Sequence, residues 1–183
     1  MIKVWKADTE TEHVYTNAAL LNPRDFLDVK TMTGEPLLGR FPTPRIRVDS
    51  EYLPADYFQA GPLFMVSEKL KSVLQEFSLR VELHPVDVDF RGAAPVDPRY
   101  YFLNILDEAA CLDRTASKYS EMKGYVGDIK KLVIDETKTV GMNLFRLAKA
   151  YQFIVLVGEP LAQAIQSSGV RGVRLIEPSA FRW

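Results

Sequence analysis

The chain has 183 residues, 47% of them hydrophobic and 26% charged, with a formal net charge of −1; this is the profile of an ordinary globular domain and excludes a disordered, collagen-like or disulfide-stapled chain. A balance this close to neutral lacks the basic excess of a nucleic-acid binder, and no run approaches the ~18 apolar residues of a bilayer span. The single Cys111 excludes an internal disulfide and fits a reducing compartment; with no long apolar leader after Met1, the expectation is a soluble, cytoplasmic protein.

Residues 1–6 alternate as an edge strand, with Ile2 and Val4 against Lys3 and Lys6. Asn22-Pro23 reads as an N-cap followed by proline at the first helical position, the start of a short helix. Residues 34–44 are rich in Gly and Pro and mark a loop or seam, which allows a small N-terminal subdomain over 1–48 before a main body over 49–183 within one domain. Arg45–Asp49 alternates as a strand. After Pro85, Val86, Val88 and Phe90 alternate with Asp87 and Asp89, and Tyr100–Leu106 reads as a buried or half-buried strand. Asp107–Asp113 reads as a short apolar turn and 114–128, polar with two glycines, as mainly loop. Ile129–Asp135 is a further strand, and Asn143–Leu147 leads into the last part of the chain.

One pattern occurs twice. Val66-Ser67-Glu68-Lys69-Leu70 returns 91 positions later as Val157-Gly158-Glu159-Pro160-Leu161. Each copy follows an apolar run, Leu63–Val66 and Phe153–Val157. Each continues as a short amphipathic helix, with Leu70, Val73, Leu74 and Phe77 in the first and Leu161, Ala164 and Ile165 in the second. Each ends in an alternating strand that meets a proline, Pro85 or Pro178. Ser67 suits an N-cap and Glu68 the positive helix end; Gly158 takes the cap position in the second copy. The elements do not alternate strictly, so the fold class expected is α+β, a mixed or mostly antiparallel sheet with a few short helices and a strand–helix–strand unit used twice.

Neither copy carries a phosphate loop or an evident nucleophile. His84, Asp87 and Asp89 form an H-x-x-D-x-D arrangement that could hold a metal. Pro85 is expected to break the register between the imidazole and the acids, and a solvated strand face accounts for them better, so neither metal nor cofactor is expected. His13 and His84 are the chain's imidazole bases, and Cys111 sits in an apolar Ala-Ala-Cys-Leu setting that raises its pKa. Arg40, Arg45 and Arg47 could touch phosphates, but Asp49, Glu51 and Asp56 dilute them. Phe181 and Trp183 are expected to dock on the body.

In order along the chain, Leu53-Pro54-Ala55-Asp56-Tyr57-Phe58, Val66–Leu70, Val81–Val86, Tyr101–Leu106, Leu112–Ser117, Leu144–Leu147 and Gly169–Leu175 resemble segments of a family of bacterial immunity proteins from polymorphic toxin systems, α+β proteins encoded beside toxin genes. The similarity runs from Leu53 to Pro178. The resemblance implies a protein that binds and neutralises a toxin in the producing cell. The first expectation is a non-enzymatic, stoichiometric inhibitor of a toxin domain, and charge and hydropathy point to neither nucleic acid nor membrane as partner. Two other classes stay open: a hydrolase that reverses the toxin's modification, and an adaptor that loads it for secretion. Residues 1–114 carry 13 Lys and Arg against 18 Asp and Glu, whereas 115–183 carry 10 against 6. The acids expected to contribute to partner binding are Asp87 and Asp89 on a strand's polar face, and Asp107 and Glu108 after a strand end.

Overall fold

The computed structural model describes residues 1–11, 18–27, 34–37, 39, 41–49, 55–91, 99–150 and 154–182. His13, Arg40, Glu51, Leu53, Pro54, Phe153 and Trp183, which figure in the sequence reading, lie outside them. In chain order the strands are β1 Ile2–Ala7, β2 Ala18–Leu20, β3 Arg45–Asp49, β4 Tyr57–Ala60, β5 Leu63–Ser67, β6 Val81–Arg91, β7 Tyr100–Ile105, β8 Glu108–Ala109, β9 Lys118–Met122, β10 Tyr125–Lys131, β11 Leu144–Leu147, β12 Val155–Gly158 and β13 Val173–Ile176. The helices are α1 Glu68–Gln75 and α2 Glu159–Ser167. The fold is α+β, with both parallel and antiparallel pairings.

The chain forms two compact units. One gathers Met1–Lys6, Asp107–Ser167 and Arg174–Trp183; the other gathers Ala7–Leu106 and Ser168–Val173. The repeated pattern supplies one copy to each. In the second unit the strands run in the order β2-β3-β6-β7-β5-β4, so β5 and β6, joined through α1, flank β7. In the first unit the order is β13-β1-β12-β11-β8, so β12 and β13, joined through α2, flank β1. Each copy is therefore a split strand–helix–strand unit, whose two strands are separated by a third from elsewhere in the chain.

In the second unit, strand alternation divides the sheet. Ile46, Val48, Phe58, Leu63, Met65 and Phe102 face a core completed by Phe26 and Leu37, with Phe41 partly buried against it. Leu70, Val73 and Leu74 are the buried residues of α1. Ser67 accepts a hydrogen bond from the Leu70 amide at 3.2 Å and donates to Asp56 Oδ1 at 2.6 Å, so the cap is itself anchored. In the first unit, Ile2, Val4, Cys111, Val126, Ile129, Phe145, Leu156 and Phe181 make the core. Phe181 docks there at 2% exposure.

Several sequence expectations are corrected. β1 is an inner strand, not an edge, because β13 arrives from the far end of the chain to cover its free side. The element at Pro23 is a single 3-10 turn over Pro23–Phe26; the Asn22 amide bonds Asp25 and the Thr43 carbonyl instead of capping it. Pro85 does not interrupt β6, which runs unbroken from Val81 to Arg91. The strand changes partners there: β7 pairs with Val81–Val86 and β3 with Asp87–Arg91, so among the described residues β7 is the sole strand partner at Pro85. A proline is tolerated at such an edge position. Asp107–Asp113 includes β8, and 114–128 is not mainly loop, since it holds β9 and the first residues of β10. On α2 the buried residues are Leu161, Ala162 and Ile165, and Ala164 is half-buried.

Candidate functional site

Asp87 and Asp89 sit where alternation places them, on the outer face of β6. The parallel neighbour β3 sets Arg45 opposite Asp87 and Arg47 opposite Asp89. The same pleat turns Ile46 and Val48 fully inward. Arg47 Nε donates to Asp89 Oδ2 at 3.0 Å. The outcome is a ladder of alternating arginine and aspartate with little net charge, whose surface pair contributes about 0–1 kcal/mol. Beside it lies an open groove of 370 Å³ lined by Pro85, Asp87, Arg99 and Tyr101, among others. Tyr101 donates its hydroxyl to Glu68, and Lys71 Nζ stands 3.9 Å from the centre of its ring. Those two partners, Tyr101 first, hold the Glu68 carboxyl below its ordinary range.

His84 lies on the opposite face of β6 from the two aspartates, so the H-x-x-D-x-D residues do not converge. Its ring lies against Phe41, centroids 4.6 Å apart and planes tilted by 40°, and its Nε2 is 3.2 Å from Glu82 Oε2. Glu82 also accepts from Asn104 Nδ2 and from the Leu37 amide, both at 2.9 Å. Burial works to raise the Glu82 carboxyl, but Asn104, the Leu37 amide and His84 outweigh it and hold the carboxyl below its ordinary range. This cluster ties residues 35–37 to the sheet. Among the described residues, no three of His, Cys, Asp and Glu group together as metal ligands. Cys111 is fully buried, and burial pushes its thiol up to about 11.

Asp107 and Glu108 belong to the other unit. The Asp107 carbonyl accepts from the Arg146 amide at 2.9 Å, and β8 runs parallel to β11 with Glu108 opposite Arg146. Arg146 is 7% exposed and places Nη2 3.4 Å from Glu108 Oε2. Burial lowers the pKa of this guanidinium, and Glu108 works against that. Sequence reasoning took Asn143–Leu147 only as leading into the last part of the chain and gave its arginine no role. A cation inside an apolar run was the available signal, because a buried charge is stable only with a partner.

The β9–β10 hairpin was read only in part: the strand expected over Ile129–Asp135 overlaps the end of β10, which runs Tyr125–Lys131, while β9 and the turn fall in the stretch read as mainly loop. Its two-residue turn, Lys123-Gly124, has φ of 51° and 81°; the left-handed backbone at both positions is the turn that matches strand twist. Val126 and Ile129 anchor its inner side at 2% and 1% exposure. At the tip, Met122 pairs across from Tyr125, and they are 60% and 47% exposed. A cleft of 540 Å³ beside it is lined by Arg114, Ser117, Lys118, Tyr119, Ser120, Asp128 and Lys130. The weak signal was the glycine of Lys-Gly between two polar alternating stretches.

The β3–β6 ladder carries a charged outer face, and Ser67, His84 and Cys111 are engaged in capping, ring packing and the core. The model of the Imm11 immunity protein family matches residues 4–179, and the chain belongs to that family. No curated protein matches the chain. No helix among the described residues is long and apolar enough to cross a membrane.

Proposed function

We propose that the protein neutralises a bacterial toxin domain by binding it stoichiometrically in the cytoplasm of the cell that makes both, without enzymatic turnover. Family membership over residues 4–179 carries this reading. The local geometry supports it: Ser67 is spent on a helix cap, His84 packs against Phe41 and is bonded to Glu82, and Cys111 is buried. Asp87, Asp89, Asp107 and Glu108 are proposed contacts. Asp89 and Glu108 already face Arg47 and Arg146, so each exchanges one cation for another on binding and gains less than an acid with no such neighbour.

The test is a titration of the toxin domain encoded beside the gene. Protection complete at one equivalent supports the inhibitor; protection at far less than one equivalent refutes it and favours the hydrolase. In the same assay, alanine variants of the four acids are expected to leave most binding intact, with one or two of them weakening it. If all four bind like wild type, the acids are not contacts, and the inhibitor reading stands without them.

A further inference from the structure

We propose that the β9–β10 hairpin is the principal docking element of this protein, and that it grips an acidic protein surface with an apolar centre. The inference rests on the inhibitor reading and names the chemistry of its partner. Four observations carry it. The hairpin forms a sheet of its own, so no other named strand is laddered against the outer edge of β9. Its inner side is held firmly: Val126 and Ile129 lie in the core, and the Val126 amide donates to the Lys149 carbonyl at 2.7 Å. The outer side therefore makes no contribution to that core, and four of the five residues of β9 are exposed. At the tip, Met122 pairs across from Tyr125 with 60% and 47% of their surfaces exposed, an adaptable thioether beside an aromatic ring, which suits an interface anchor.

Charge selects the partner. Residues 114–131 hold five cations, Arg114, Lys118, Lys123, Lys130 and Lys131, against two acids, Glu121 and Asp128, a net of +3 in a chain whose total is −1. Arg114 is joined to Glu121 at 2.6 Å, and Lys118 and Lys130 line the cleft with Ser117, Ser120 and Tyr119. A surface bearing carboxylates around an apolar patch complements this in charge and in shape, and β9 offers its edge to an added strand. A nucleic-acid strand fits less well, because Asp128 lines the same cleft and Glu121 lies on the strand beside it. None of the four acids proposed above lies on the hairpin, so the two contributions are separable by mutation.

Two double variants of the full chain test the proposal: Lys118→Glu with Lys130→Glu, and Met122→Ser with Tyr125→Ser. All four positions are at least partly solvent-exposed, and thermal melting confirms that each variant folds. Val140→Ser, at a site 84% exposed and off the hairpin, is the control. Charge reversal is expected to slow association with the toxin domain about tenfold or more and to flatten its salt dependence. The tip variant is expected to speed dissociation about tenfold or more. If wild type neutralises the toxin and both variants protect equally well, the hairpin inference is overturned and the inhibitor reading stands. If wild type does not bind the toxin domain, the inhibitor reading falls, and a synthetic twelve-residue peptide of alternating Glu and Leu decides the hairpin. Binding of that peptide, lost on charge reversal, upholds the inference; its failure to bind, or tighter binding of a twelve-nucleotide oligothymidylate, overturns it.

Discussion

Gly158→Ala is the most informative single change outside the proposed interfaces. The residue sits at the β12–α2 junction where the first copy of the repeat has Ser67. A Cβ built at Gly158 would lie 2.4 Å from the Met142 carbonyl oxygen and 3.3 Å from Asn143 Cα. Both are backbone atoms, so no rotamer change relieves the approach. The backbone is fixed on either side, since the Gly158 amide donates to the Asn143 carbonyl at 2.9 Å and Gly158 pairs with Ile2 of β1. Two effects oppose each other. Because its φ is not in the left-handed region, alanine gains about 0.4–1 kcal/mol by restricting the unfolded chain. Forcing an extra carbon into a closed space costs about 1–3 kcal/mol. The clash wins, and the net loss is about 1–2 kcal/mol. For a chain of this length each kcal/mol lowers Tm by about 2–4 °C, so calorimetry should record a fall of about 2–8 °C. A variant as stable as wild type or more stable would refute the close approach and the account of why serine and glycine differ between the copies. Ser67→Ala offers the contrast: its loss of about 1 kcal/mol arises from a missing cap to the Leu70 amide, not from a clash.

Two further outcomes are expected. Leu70→Ala and Leu161→Ala, both at 0% exposure, should each cost about 2–5 kcal/mol in urea unfolding; a loss below about half a kcal/mol at both would show that the helix faces are misassigned. The Glu82 carboxyl, held below its ordinary 4.5 by Asn104, the Leu37 amide and His84, supplies stability that is present above pH 4.5 and is lost as pH falls through its lower folded value. Glu82→Gln should therefore be less stable than wild type at neutral pH and close the gap as the solution is acidified toward and below that value; a gap that stays constant with pH would exclude the ionised carboxylate as the source.

The residues of the repeat show how much of this molecule is local. Ser67 as a cap, Leu70, Val73 and Leu74 as a buried face, and Arg45–Asp49 as an alternating strand all follow from near-neighbour chemistry, and the structure contains them as read. Those are properties of period, capping and pleat, which operate over a few residues. The candidate site was legible only to the same extent. Alternation correctly put Asp87 and Asp89 on an outer face, but it could not supply Arg45 and Arg47, because a strand carries no label for its lateral neighbour. Arg146 beside Glu108 escaped for the same reason, and β9 with the start of β10 escaped because their polar outer face hides the apolar inner position Val126.

The sequence by itself determined the α+β class, the two strand–helix–strand copies and the buried faces of their helices, since burying apolar surface at a fixed period admits few local solutions. Only the tertiary structure decided that β7 lies between β5 and β6, that β1 lies between β12 and β13, and that Pro85 falls where β6 exchanges one partner for another. Those outcomes depend on ladders between residues as far apart as Ile2 and Gly158. Backbone hydrogen bonds are alike for every residue but proline, so any apolar strand satisfies any other, and the choice among them is made by the packing of the whole chain.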